Sequence, residues 1–420
     1  MKMKKAVIAA GLVFTVAAVF TGCRKELPQQ ETAEITAKTV DELEPEKGAT
    51  LTLWTGDKDY GAAIAEAFEK KYGVKVNVEE EGKGTIDKMA LSGPAGEGAD
   101  VYITASDNLE KGLSSGVFLK LCDAVTDDVK AKVSGTGVEA VTSDGAMYRV
   151  PVSIEVNCMY YNKDLVETPA ATLEEIMEKA AAFNDPANNK FYFLCTVGDG
   201  YYEFPFVSAG GFRLFGANGD DPNQPGLDTD EYEKGLELMA KLHDVMPITS
   251  TDLNNKSSIK SAFMDGTVAY YISGPWDVKQ VKESGVNLGI TTLPTYNGNP
   301  LTPFAGMNCA FVSPYTDYPQ AAQLLADFLI SDEGAAILYQ NDGITALSDT
   351  SQVEGLSEDD YLKPFVEQFA HAIPMPSVSE VSYYWSLSPD IDSAVFDGKL
   401  TPKEGREKAV EDWEALQATK

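Results

Sequence analysis

The chain has 420 residues, 44% of them apolar, with 65 acidic against 34 basic side chains and a formal net charge of −31. That balance excludes a nucleic-acid ligand, which needs a basic footprint, and argues against an anionic ligand held by bulk charge. It suits an exported body with a neutral ligand, and the length beyond the N-terminal segments is enough for two domains.

Lys2, Lys4 and Lys5 make a short basic stretch, and Ala6 to Phe20 is apolar or small. With the small residues before Cys23 this is a secretory signal over residues 1–22, too short for a membrane-spanning helix. Phe20-Thr21-Gly22-Cys23 resembles a bacterial lipobox, with Phe20 where Leu is commoner. Cys23 is therefore the expected lipidation site and mature N-terminus. An ordinary signal peptide that contains a Cys is the alternative. The expected location is the extracytoplasmic face of the cell membrane, held through the lipid alone. Residues 24–48 are polar and almost free of aromatics, so 23–48 reads as the lipidated Cys followed by a flexible tether.

From residue 50 onward, β and α patterns alternate. Thr50 to Trp54 alternates polar and apolar as a strand does. Ile64, Phe68 and Tyr72 recur every four residues on a helix that Gly73 ends. Val74, Val76 and Val78 make a second strand, Ile86 to Leu91 a helix, and Ala99 to Thr104 a third strand. The βαβαβ order predicts a parallel sheet flanked by helices. Val150 to Tyr161 reads as one long extended run. Thr172-Leu173-Glu174-Glu175 is a capping box for a helix to Phe183. Phe191 to Val197, Val268 to Ile272 and Asn287 to Leu293 read as strands. Helices are predicted near 230–245 and 257–264, from Trp276, and over Tyr318 to Ile330 with Pro319 in the first turn. The C-terminal end is helical behind Thr401 and Pro402.

Cys122, Cys158, Cys195 and Cys309 form no CxxC pair and match no zinc spacing. They read as small buried hydrophobes, although disulfides are possible in this compartment. His243 and His371 have no local partner. HExxH, GxSxG, Walker and GxGxxG motifs are absent from the sequence. No metal, no cofactor and no catalytic residue is expected.

Several strings occur in order: Leu53-Trp54-Thr55-Gly56-Asp57-Lys58; Ala99-Asp100-Val101-Tyr102; Pro151-Val152-Ser153-Ile154-Glu155; Tyr161-Asn162-Lys163-Asp164-Leu165; Ser273-Gly274-Pro275-Trp276; Leu293-Pro294; and Ser331-Asp332-Glu333-Gly334. Together they resemble the extracellular solute-binding proteins of ABC sugar importers, in the maltose/maltodextrin-binding branch. The resemblance implies an α/β, two-lobe periplasmic-binding-protein-like fold of class II, with hinge crossovers and an interlobe ligand cleft. Lobe 1 would hold 49–155 plus 304–356, and lobe 2 would hold 156–303 plus 357–420. Val150 to Tyr161 would be a crossover, and the lobes would close on the ligand by a hinge motion.

Aromatic rings suit the C–H faces of a sugar, and carboxylates suit its hydroxyls. The resemblance assigns stacking to Trp276, Trp385 and Tyr201, and hydroxyl binding to Asp57, Lys58, Asp107, Glu155 and Asp199. A packing role for the tryptophans and simple solvation for the acids are the competing readings. The sequence departs from the maltose-binding pattern at Thr104, where that branch has Trp, and at Asn108 and Pro389, where it has Arg. One aromatic face and two cationic donors are thus missing. The expected function is capture of malto-oligosaccharides for an ABC importer, by a monomer that contacts its permease subunits. The alternatives are another oligosaccharide, a glycoside hydrolase built on paired carboxylates, or a polysaccharide adhesin.

Overall fold

The computed structural model describes residues 35–82, 84–133, 142–143, 145–217 and 219–418. The signal segment, Cys23 and the first part of the tether lie outside these residues. Among the described residues, no helix is long and apolar enough to cross a membrane.

The first lobe is built on a mixed six-stranded sheet. Thr50–Thr55 sits between Lys75–Glu80 and Val101–Ala105, parallel to both. The intervening helix Lys58–Tyr72 turns Ile64 and Phe68 inward and ends at Gly73 in the left-handed region, φ 70°. Glycine takes that conformation without a Cβ penalty. Leu51 and Leu53 are fully buried, which stabilises the sheet by about 2 kcal/mol per side chain. The βαβαβ expectation holds here, but the sheet is not all parallel. Phe304–Val312 pairs antiparallel with both Val101–Ala105 and Arg149–Glu155.

The second lobe has a four-stranded sheet. Its order is Leu288–Thr291, Cys158–Asn162, Val268–Ser273, Phe191–Leu194. Helices Leu173–Phe183, Gly200–Val207, Asp230–Val245, Val381–Phe396 and Pro402–Gln417 surround it. Two separate apolar cores result. One runs from Leu43 to Val152 and from Met307 to Leu338. The other contains Val156 to Phe304, then Ile344 to Leu356, and closes with Trp413.

Three chain segments join the lobes, near Val156, near Phe304 and near Ile344, and they are hydrogen-bonded to one another. Glu155 pairs with Gly306, the Ile154 N–H donates to the Ile344 carbonyl and the Ala346 N–H to the Val152 carbonyl. Phe304 and Ala305 also pair with Ile373 and Pro374. The predicted run Val150 to Tyr161 is two strands, broken at Val156 and Asn157 where the chain leaves one sheet for the other.

Other expectations are sharpened. Thr172 caps its helix through Glu175 N–H, but the Glu175 carboxylate takes the N–H of Ala171 instead of Thr172. The full reciprocal box is at Thr401 and Glu404. Trp276 lies in the 3-10 turn Pro275–Asp277, and the α-helix begins only at Val278. The turn is fixed by Asp277, which accepts from Ser273, Tyr271 and Lys260. Residues 35–48, read as tether, lie against the folded body. Leu43 is buried, and the Glu46 carboxylate accepts the N–H groups of Gln320 and Ala321 at 2.8 and 3.0 Å. The helix Pro319–Phe328 has no side-chain cap of its own. Glu46 therefore supplies the anionic acceptor that its N-terminus needs. The four cysteines are unpaired; Cys158, Cys195 and Cys309 are buried and Cys122 is half-buried.

Candidate functional site

Where the chain crosses between lobes, four aromatic rings form a continuous band. Trp276 stands 6.3 Å from Tyr201, Tyr201 stands 6.5 Å from Phe304, and Phe304 stands 5.7 Å from Trp385, centroid to centroid. Trp276 is 45% exposed, unusual for so large an apolar ring that sits beside a buried core. Its partner in the turn is Gly274, where a Cβ would fall 2.1 Å from the indole.

Tyr201 and Trp385 share a local device. Each lies four residues before a proline inside its own helix, Pro205 and Pro389. A proline has no N–H to give the carbonyl four residues back. The freed Tyr201 carbonyl accepts from Asn157 Nδ2 at 3.4 Å. Asn157 is fully buried at the first crossover, so the crossover and the ring-bearing helix are tied together. At Trp385 the indole N–H donates to Asp107 Oδ2 at 3.1 Å. Asp107 follows the first-lobe strand Val101–Ala105, and Trp385 packs on the second core. This bond spans the interlobe junction. It holds the indole by its edge.

The acidic residues divide. Glu155 ends the crossover strand and accepts from Ser153 at 3.0 Å and Asn308 at 2.8 Å. Burial pushes its carboxyl up to about 7 against those two bonds. The same Glu155 charge adds to burial in raising the Tyr201 phenol, so the two groups are neighbours. The Tyr201 hydroxyl is buried with no hydrogen-bond partner. Burial also raises Asp107, against the Trp385 bond and the nearby Arg149. Its second oxygen takes Asn108 Nδ2, so Asn108, one of the departures, orients this carboxylate.

Asp57 and Asp199 serve first as helix caps. Asp57 Oδ1 accepts from Asp59 and Tyr60 N–H. Asp199 Oδ1 accepts from Tyr201 N–H, and its Oδ2 is paired with Lys256. Asp57 and Lys58 are exposed at the start of their helix, and no contact joins them to the aromatic band. Thr104 is half-buried in its strand, where it contributes no ring.

Several contributors were not singled out from the sequence. Phe304 is buried behind Tyr201 and stacks on Phe204 at 3.5 Å; nothing in the local string Thr302-Pro303-Phe304 marks it. Asn157 was more legible, as one of few polar side chains in the run Val150 to Tyr161. Lys256 lies 4.5 Å from the centre of the Tyr202 ring, and Tyr202 is 6.3 Å from Trp276. Asp199 and Lys256 line a concavity of about 580 Å³ with Thr251, Asn254, Asn255 and Ser257. A larger one of about 660 Å³, between the 211–229 loop and the C-terminal helix, contains none of the predicted site residues. Among the described residues there is no cluster of metal-ligating side chains.

This arrangement can bind a flat-faced, hydroxyl-rich molecule between aromatic plates and carboxyl groups. Residues 63–363 match the family of bacterial extracellular solute-binding proteins. The galactooligosaccharide-binding protein of Bacillus subtilis is 28% identical over 87% of this chain and 89% of its own length. The maltooligosaccharide ABC transporter solute-binding lipoprotein of Streptococcus pneumoniae is also 28% identical, over 87% of each chain. The crystal structure of MalX from Streptococcus pneumoniae in complex with maltopentaose superposes with a TM-score of 0.79 at 27% identity, covering 88% of this chain and all of that one. With its class II two-lobe architecture, its aromatic band at the junction and this match over most of its folded length, the chain belongs to the bacterial extracellular solute-binding proteins.

Proposed function

We propose that the protein captures malto-oligosaccharides at the lobe junction and hands them to an ABC importer, without cleaving them. The observation that carries this reading is the band Trp276–Tyr201–Phe304–Trp385, flanked by Glu155 and Asp107. Trp276 and Trp385 would stack on sugar faces, with Tyr201 between them. Glu155, Asp107 and the unpartnered Tyr201 hydroxyl would meet sugar hydroxyls. Asp57, Lys58 and Asp199 would join from the helix starts when the lobes close. The relatives named for maltooligosaccharide and bound to maltopentaose support the sugar class. The lobes would comprise 49–155 plus 304–343 and 156–303 plus 344–420, the expected boundary at 356 moving back because Ile344 to Leu356 pack in the second core, and Cys23 would carry the lipid anchor.

One observation favours a second reading. A relative of equal identity is named for galactooligosaccharide. Thr104 here leaves one first-lobe position of the malto-oligosaccharide pattern without a ring. Calorimetry over maltotriose, maltopentaose and β-linked galactooligosaccharides decides between the two. Heat with the maltodextrins at a micromolar Kd, about −8 kcal/mol, supports the first reading; heat with the galactosides alone replaces it. Chromatography after overnight incubation checks the absence of cleavage, since any shorter sugar would establish an enzyme. A Cys23→Ser variant is expected in the culture medium instead of the membrane fraction.

A further inference from the structure

The helix Val381–Phe396 carries Trp385 at the junction, and its inner face continues as a polar stripe. Tyr384, Ser388 and Asp392 follow at four-residue spacing, so they lie one above another. All three are fully buried. The stripe packs on the start of the helix Gly200–Val207, which carries Tyr201. Gly200 sits directly over it: a Cβ there would be 2.3 Å from Ser388 Oγ and 3.1 Å from the Tyr384 ring. From that second helix comes Glu203, also fully buried.

The two carboxyl groups differ in their surroundings. Glu203 accepts the N–H of Gly198 at 2.7 Å and of Asp199 at 2.9 Å. These donors favour a carboxylate. Neither oxygen of Asp392 has a hydrogen-bond partner, and the Tyr232 hydroxyl has none either. A second carboxylate in the same dry interior, with no donor of its own, is prohibitive in energy unless it is neutralised.

We propose that Asp392 is held protonated at the contact between these two helices, and that its proton positions the Tyr201 helix against the Trp385 helix in the ligand-binding arrangement. Glu203 stays ionised under its two N–H donors. Burial pushes Asp392 up to about 8. Burial first, then Asp392, raises Glu203. The ionisable groups that face the pair are Tyr232 from the helix Asp230–Val245, Tyr384 from the Trp385 helix and Cys195 beyond the strand Phe191–Leu194; His243, from the same helix as Tyr232, lies one turn away against Phe396 at 5.1 Å. None of the groups that face the pair is a cation. Asp199 lies further along, paired with Lys256. The C-terminal helix presents Gly405 against Ile391 and Val395, and the helix Ser250–Leu253 presents Ser250, bonded to Asp397. Glu203 holds the N–H groups that flank the cap of the Tyr201 helix, so repulsion from an ionised Asp392 would be felt at Asp199 and Tyr201 together. Both are positioning residues and touch no ligand.

The inference rests on the junction being the sugar site, and the experiment separates the two. Maltotriose affinity is measured by calorimetry at pH 7 and pH 9.5 for the wild type and Asp392→Asn, which keeps shape and a donor but cannot ionise. Glu155 titrates alike in both, so the readout is their ratio: the wild type is expected to fall at least threefold relative to the variant between the two pH values; parallel curves overturn the proposal. Urea unfolding without sugar gives a second readout. The folded protein holds a proton that the unfolded chain releases, so the stability advantage of wild type over the variant falls as pH rises from about 5 to 8, then levels. A flat difference overturns the proposal whether or not any sugar binds. If Asp392→Asn does not fold, carboxyl carbon-13 NMR of the wild type decides: one aspartate titrating near 8 is expected, and none titrating above 6 refutes it. Failure of sugar binding at pH 7 alone counts against the sugar reading only.

Discussion

Trp276 and Glu155 bear the largest individual burdens at the junction, in opposite ways. Trp276 leaves nearly half its surface in water, an arrangement that costs the free protein apolar burial and returns it when a sugar face covers the ring. Trp276→Ala is expected to weaken sugar binding by about 2 kcal/mol, as aromatic anchors do, with unfolding by urea little changed. Calorimetry checks the first and circular dichroism the second. Glu155 is held near 7 by burial, against an ordinary value of 4.5. The folded state therefore binds more protons than the unfolded chain between those values, and stability falls as pH rises through that window. Glu155→Gln removes the slope. It is expected to be more stable than wild type at pH 8 by about 1 kcal/mol yet to bind sugar about tenfold more weakly, a charged acceptor being lost. Equal affinity at pH 8 would remove Glu155 from the site. Asp57 combines a cap and a proposed ligand contact, which substitution separates. Asp57→Asn keeps the cap, whereas Asp57→Ala costs about 1 kcal/mol of stability; a fall in affinity with both points to the ligand role.

At the level of elements, the two helices that carry Tyr201 and Trp385 each contain a proline four residues later. Pro389→Ala restores one helix hydrogen bond and is expected to raise stability by about 1 kcal/mol. It should also weaken sugar binding, because a new hydrogen bond to the Trp385 carbonyl shifts the residue whose indole holds Asp107. A variant with unchanged affinity would show that the proline has no bearing on the site. These helices also show where sequence reading stops. The strands Thr50–Thr55 and Val268–Ser273 and the helix Asp230–Val245 were legible because their apolar spacing is regular. Gly200–Val207 and Val381–Phe396 were not predicted as helices, since proline normally excludes an interior position. Trp276, Trp385 and Tyr201 were legible only through the family resemblance; periodicity marks none of them. Phe304, Asn157 and the Glu203–Asp392 pair were missed because their importance arises from contacts between distant segments.

For the whole molecule, the three crossovers are bonded into one small ladder through Gly306 and Glu155 and through Ile154 and Ile344. Two lobes with separate cores that are joined this way have one easy motion, a rotation about the ladder. Addition of maltopentaose is expected to reduce the radius of gyration in small-angle scattering, and the Trp276→Ala variant should need more sugar for the same change. No contraction at saturating sugar would mean that the ligand binds without closure.

Glu46 fixes the N-terminal strap to the helix Pro319–Phe328 of the first lobe, with Leu43 buried beside it. Under the proposed anchor at Cys23, about 20 residues would separate lipid from clamp, a reach of at most about 70 Å when fully stretched. Such a leash would leave from one lobe only: the first lobe would be towed and the second would swing. A body confined to so thin a layer would meet a membrane-embedded transporter at an effective concentration of order millimolar. Delivery can then be frequent even if the docking surfaces hold each other weakly, and lengthening the strap, not strengthening the contact, would be what slows it.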